Sequence, residues 1–274
     1  MTKLIALMGA GLVLLAACVQ APAPRPPARP LRVVSLDYCA DQYVLRLVDR
    51  GRIVAVSPDA AKPFSYMRAA ATGLRRVPAK VEDVLVLRPD LVVRSYGGGP
   101  DAARFLTRAG VPVLQVGYAE DIAGVRRTLI EMADGLGEAE RGRRLAAEMD
   151  SRLARLRRHA TAASAFYMTP GGVTTGPGTL VHEMLMAAGL RNFQREQGWR
   201  PLPLERLAYE RPDLVAAAFF DVGTGPPDRW SAARHPVARA QLRDRPVVPL
   251  EGAWTTCGGW FVLDAVEALA RRPQ

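Results

Sequence analysis

Few side chains in this 274-residue chain stand where covalent chemistry would need them. Cys39 lies two positions from Asp41, and His182 adjoins Glu183. A nucleophile or a general acid–base couple could be built from such pairs. Neither pair has the expected surroundings. There is no nucleophile elbow and no HExxH. Gly171 to Gly178 reads GGVTTGPG and lacks the Lys-Ser/Thr with which a glycine-rich loop holds phosphate. That segment reads instead as a flexible cleft wall. The three histidines, His159, His182 and His235, show no ligand spacing with the cysteines, so neither a zinc site nor another metal site is expected.

A repeated phrase says more. Glu82 to Val92 reads EDVLVLRPDLV and Glu205 to Val215 reads ERLAYERPDLV, with Pro89 and Pro212 lying 123 positions apart. In each copy an acidic residue opens a short helical turn. Arg-Pro-Asp (Arg88-Pro89-Asp90; Arg211-Pro212-Asp213) stops it, and Leu-Val starts a buried strand. One repeat at so long a period implies two similar lobes rather than a solenoid of many short units. Two lobes make a cleft, where ligands bind.

The surrounding elements fit that division. Strands are expected at 32–36, 52–56, 91–95 and 111–116, with helices at 41–48, 82–87 and 101–109. This alternation implies a largely parallel sheet with helices on its faces. A helix at 121–136 leads into a longer one at 138–159, whose Leu145, Met149, Leu153 and Leu156 share one face. The longer helix would span roughly 33 Å and act as a strut between the lobes. Beyond it, strands at 163–168, 213–220 and 247–250 and a helix at 179–188 repeat the order. Residues 221–230 and 254–260 read as loops, and 261–271 as a closing helix. The expected fold class is α/β: two Rossmann-like lobes with mostly parallel sheets, joined by one long helix. Residues 31–120 would form the first lobe, 121–160 the linking helices and 161–274 the second lobe.

Residues 1–17 read as a signal peptide: Lys3, then an apolar run to Ala17 that is short for a membrane span. Leu15-Ala16-Ala17-Cys18 resembles the bacterial lipobox, in which Cys18 would be acylated. An ordinary signal peptide containing a cysteine is the alternative. Residues 18–30, rich in Pro and Ala, would be an extended tether. Val19 is not aspartate, so which membrane holds the anchor stays open. In an exported protein Cys39 and Cys257 could form a disulfide or remain two buried thiols. The formal charge of +10 gathers in part on the long helix, at Arg141, Arg143, Arg144, Arg152, Arg155, Arg157 and Arg158. Without interleaved aromatics this reads as a solvated face rather than a nucleic-acid surface.

The lipobox, the RVVSL opening at Arg32 to Leu36, the two phrases ending in RPDLV and the long central helix together resemble the periplasmic substrate-binding proteins of ABC importers for metal chelates. This is the helical-backbone class whose members bind vitamin B12, ferric siderophores or haem. The resemblance implies a monomer of the periplasm or cell envelope, lipid-anchored, with no catalytic residues and no cofactor of its own. It would deliver a chelate (corrinoid, ferric siderophore or haem) to an ABC permease dimer with its ATPase. Glu82 and Glu205 match the glutamates that dock on the permease; a charge complementing a helix dipole is the plainer reading. Trp199, six residues before Glu205, matches a pocket-wall position of the B12 binders, where the first copy has Arg76. Tyr66, Tyr96, Trp230, Trp254 and Trp260 are further wall candidates or else core packing. Arg68, Arg94 and Arg200 could pair with ligand carboxylates. Asp37 and Tyr38 follow the first strand and should face the cleft. A free-metal-ion binder, an enzyme on the same fold and a non-transport lipoprotein are the alternatives.

Overall fold

Short buried runs of Val, Leu and Ala make the strands of two parallel sheets. The computed structural model describes residues 31–156, 163–218 and 231–271. The signal peptide, Cys18, the tether, Arg157, Arg158, His159 and the segment holding Trp230 lie outside the described residues. The first sheet contains β1 (Val33–Ser35), β2 (Ile53–Ala55), β3 (Leu91–Arg94) and β4 (Val113–Gln115), in the order β2-β1-β3-β4. The second contains β5 (Ser164–Met168), β7 (Arg191–Asn192), β9 (Leu214–Ala217) and β10 (Val247–Pro249), in the order β10-β9-β5-β7. All pairings within both sheets are parallel. Read from its other edge, the second sheet has the connectivity of the first. The repeated phrase occupies the equivalent place in each: α2 (Val81–Val86) feeds β3, and α7 (Leu204–Tyr209) feeds β9.

Three helices show why the sequence starts them where it does. Asp37 caps α1 (Tyr38–Leu47) by accepting the Ala40 N–H at 3.0 Å. Asp121 caps α4 (Ile122–Gly135) through the Gly124 N–H. Thr179 caps α6 (Leu180–Ala187) through the His182 N–H at 3.3 Å. Each cap satisfies one of the amide donors that a helix leaves open at its start. The first lobe also holds α3 (Ala102–Arg108).

The linking helix, α5 (Ala139–Leu156), is described over 18 residues, about 27 Å. Gly142, Leu145, Ala146 and Met149 form its buried stripe. Gly142 lets it lie close on α4: a Cβ there would come within 2.3 Å of the Ala133 Cβ. Its arginines are not all a solvated face. Arg141 donates to the Leu47 carbonyl and pairs with Asp49, both at 2.6 Å, in the first lobe. Near the other end, Arg152 pairs with Asp264 at 2.6 Å and Glu267 at 2.7 Å on α10 (Val262–Ala270). Arg143, Arg144 and Arg155 remain exposed, as a solvated face requires.

Three expectations change. The glycine-rich segment is not all loop: β6 (Val173–Thr175) pairs antiparallel with β8 (Trp199–Pro201). A helix the sequence did not suggest, α8 (Pro236–Asp244), has proline at its first turn, where a missing N–H costs nothing. The expected loop from Trp254 begins inside a short helix, α9 (Gly252–Thr255).

Candidate functional site

A cavity of about 550 Å³ opens between the carboxyl ends of the two sheets. Strand ends in parallel sheets leave their loops on one side, where ligands bind. Ser95 follows β3, and Gln115 to Ala119 end β4 and its loop. From the second lobe come Thr179, Leu180, Val181 and Met184 at the start of α6, Trp199 on β8, and Thr255 to Gly258 after β10. A smaller hollow of about 340 Å³ lies between Phe64 and Arg68 on one side and Pro249 to Ala253 on the other. A third, of about 550 Å³ between α4, α5 and α6, has Met149, Leu153, Leu156 and Met186 in its lining. It lies away from the strand ends, and the first cavity is the better candidate.

A disulfide joins Cys39, on α1, to Cys257, beyond α9. Both residues line the cavity at the strand ends, so its wall is a covalent bridge between lobes. Beside it the Tyr43 hydroxyl donates to the Gly258 carbonyl at 3.0 Å, and the Tyr43 ring meets Trp260 edge-on. Trp260 is buried and serves packing, not the cleft.

The named candidates divide by burial and partners. Trp199 lines the cavity, is 52% exposed and meets Tyr167 edge-on at 6.0 Å. Tyr38 and Tyr96 stand 5.9 Å apart, centroid to centroid, and Tyr38 also meets Phe64 at 5.1 Å. Burial raises the hydroxyl pKa of both tyrosines above the ordinary phenol value, so they are neutral donors at physiological pH. Arg68 lines the smaller hollow. Arg200, the next residue along β8 from Trp199, points elsewhere, bonding the Gln197 carbonyl at 3.1 Å and lying 3.6 Å from Glu196. Trp254 is half-buried and packs against the core.

Three candidates are braces. Asp37 is only 4% exposed; while one oxygen caps α1, the other accepts the N–H groups of Ser95, Tyr96 and Gly97 at 2.7–3.0 Å. The first-strand loop does end at the cleft, but the Asp37 carboxylate is consumed in tying it to the loop after β3. Tyr66 donates to Asp264 at 2.8 Å and stacks on Phe261 at 4.6 Å, and burial together with that acceptor pushes its hydroxyl up to about 12. It extends the Arg152 ion-pair node rather than walling the cavity. Arg94 is buried against the Gly97 and Gly99 carbonyls, both at 2.8 Å.

Several cavity residues gave no sequence signal of their own. Tyr118, 81% exposed, stands three residues past the β4 carboxyl end, where the strand-end rule could have found it. Thr255 lines the cavity, and its hydroxyl has no hydrogen-bond partner among the described residues. Among those residues no group of three His, Cys, Asp or Glu is gathered as a metal site. Glu82 and Glu205 are both exposed, on α2 and α7, and neither lines the cavity.

Beneath the cleft, Asp41 is fully buried. It accepts from the Ser35 hydroxyl and from Ser57, whose N–H lies at 3.0 Å and hydroxyl at 2.5 Å. Burial outweighs these hydrogen bonds and, with Asp37 nearby, pushes the carboxyl up to about 6 from 3.8. The folded protein thus holds this proton more tightly than the unfolded chain. Asp41's contribution to stability is complete below about pH 4 and is lost as pH rises through about 6. Asp41→Asn removes that titration while keeping an acceptor for the Ser57 N–H. Relative to the unchanged protein, its stability should rise by on the order of 2–3 kcal/mol between pH 4 and pH 7. Urea unfolding at intervals across that range measures it, and a difference constant with pH would rule the effect out.

A family model described as periplasmic binding protein matches residues 33–218. No curated protein sequence matches the chain. Solved structures resemble it closely in fold. A periplasmic haem-binding protein, RhuT from Roseiflexus sp. RS-1 in apo form, is 22% identical with a TM-score of 0.68, covering 88% of this chain and 98% of its own. The periplasmic haem-binding protein HutB of Vibrio cholerae is 17% identical with a TM-score of 0.70, over 88% and 98%. The periplasmic vitamin B12 binding protein BtuF of Vibrio cholerae is 20% identical with a TM-score of 0.64, over 88% and 96%.

Proposed function

The chain belongs to the periplasmic binding protein family, and from that membership we propose that it is the lipid-anchored capture component of an ABC importer for a metal chelate. The observation that carries this reading is the cavity at the carboxyl ends of two parallel sheets, with Trp199, Tyr118 and several hydroxyl groups in its lining. Aromatic faces with a few polar groups suit a large, flat, partly apolar molecule such as a corrinoid, a haem or a ferric siderophore. Structural neighbours named for haem and for vitamin B12 support the same ligand class.

In this reading Cys18 carries the lipid and residues 19–30 give the body reach from the membrane. The chelate settles between the lobes with little hinge motion, since α5 is pinned near both ends and the disulfide holds the cavity wall. Glu82 and Glu205 then seat the loaded protein on a permease dimer, whose ATPase drives release. The protein catalyses nothing itself.

The test is a fluorescence titration of the mature protein lacking Cys18 with cobalamin, haem and a panel of ferric siderophores. Saturable quenching by one of them at micromolar concentration or below supports the reading and identifies the ligand class. Trp199→Ala should weaken that binding about tenfold, the usual cost of removing a buried aromatic contact. A folded sample that responds to none of them would remove the metal-chelate assignment.

A further inference from the structure

Three large apolar side chains are more than three-quarters exposed among the described residues: Tyr209 at 89%, Tyr118 at 81% and Val86 at 78%. Tyr118 lines the cleft. The other two occupy the same position of the repeated phrase. Val86 stands four residues after Glu82 and two before Arg88; Tyr209 stands four after Glu205 and two before Arg211. Residues four apart on a helix are neighbours on one face. Each short helix therefore presents a carboxylate with an apolar side chain beside it. The inward sides match as well, with Val84 and Leu207 buried at corresponding positions.

The fold itself makes no use of this outward pair. Neither Glu82 nor Glu205 has an ion-pair partner among the described residues. Nearby Glu210, by contrast, is held by Arg206 at 2.7 Å and Arg195 at 3.4 Å. An exposed valine or tyrosine alone would need no explanation. The same carboxylate-plus-apolar pair, bare in both lobes at one repeat offset, points to a partner that offers the same acceptor twice. We infer that Val86 and Tyr209 are the apolar halves of a two-point docking surface for a two-fold symmetric permease. Each permease subunit would set a basic side chain against the glutamate and an apolar recess against its neighbour. This rests on the docking reading above and extends it from charge to contact area. Tyrosine is enriched among residues that dominate interfaces and valine is not. The second lobe is therefore the stronger half: Tyr209→Ala should lower uptake about tenfold, and Val86→Ala less, with ligand affinity unchanged in both.

Photocrosslinking of the full-length chain in its own host tests the surface. A benzophenone amino acid replaces Val86 or Tyr209 in turn. Asp83 and Ala208, exposed beside the glutamates, report docking as such, and Ala147, exposed on α5, which packs on α4 and α10, serves as the remote control. The expected result is an adduct with the same importer permease, identified by mass spectrometry, from both 86 and 209, with none from 147. Permease adducts from 83 and 208 but not from both 86 and 209 would overturn the inference and leave docking standing. No permease adduct from any of the four sites would remove the docking reading as well. Adducts to a second copy of this chain would overturn the inference in favour of self-association.

Discussion

Changing Glu82 and Glu205 together to alanine should stop uptake of the ligand while its equilibrium binding stays as it was. Both carboxylates are exposed, and neither has an ion-pair partner within the described fold, so removing them costs the fold little. Seated against basic side chains of a partner they would be desolvated. Truncating one member of a buried interfacial charge pair typically costs about 2 kcal/mol or more, roughly thirtyfold in affinity. Each single change should therefore weaken delivery and the double change bring it to background. The check is uptake of labelled ligand by cells, read beside calorimetric binding to the purified variants. Equal losses in uptake and in ligand affinity would place the glutamates in ligand binding and remove the docking role. Unchanged uptake would leave them as ordinary helix charges.

The second large effect belongs to the disulfide. Cys39 and Cys257 are separated by 218 positions. Closing so long a loop in the unfolded chain lowers its entropy by an amount worth roughly 5 kcal/mol in the chain-entropy model. Measured values usually fall nearer 2–4 kcal/mol, because unfolded chains retain structure. Replacing both cysteines by serine, or reducing the native protein, should therefore lower Tm by about 10 °C, given some 2–4 °C per kcal/mol for a domain of this size. Differential scanning calorimetry with thiol titration decides it. Two free thiols and an unmoved Tm in the untreated protein would show that the bridge does not form.

The parts of this fold legible in sequence were those fixed by local pattern. Val33 to Ser35 and Leu91 to Arg94 are buried throughout, and runs of that kind announce strands. The two phrases ending in Arg-Pro-Asp-Leu-Val announce the duplicated topology. Parts fixed by distant partners were not legible. Val173 to Thr175 looks like loop because its strand character depends on Trp199 to Pro201, well along the chain. Asp37 reads as a cleft contact from its place after the first strand, whereas one oxygen caps α1 and the other serves Ser95 to Gly97, some sixty positions away. The site divides in the same way. Trp199 reaches the cavity, but nothing in Tyr66 or Tyr118 says that the first faces Asp264 and the second solvent. The hydroxyl of a tyrosine finds its partner through tertiary packing, which a single sequence does not display.

The bridge between Cys39 and Cys257 also sets an order of events during manufacture. Of the ten described strands only β1 precedes Cys39, and the other nine lie inside the covalent ring. A ribosome adding about 5–20 residues per second needs roughly 10–40 s to make the 218 positions between the two thiols. For that interval Cys39 is a thiol without its mate, and once Gln115 is made the first sheet is complete and able to assemble. Premature oxidation would commit it to the wrong sulfur. Newly made chains therefore gain most from a cell that keeps cysteines reduced until synthesis ends and oxidises them only afterwards.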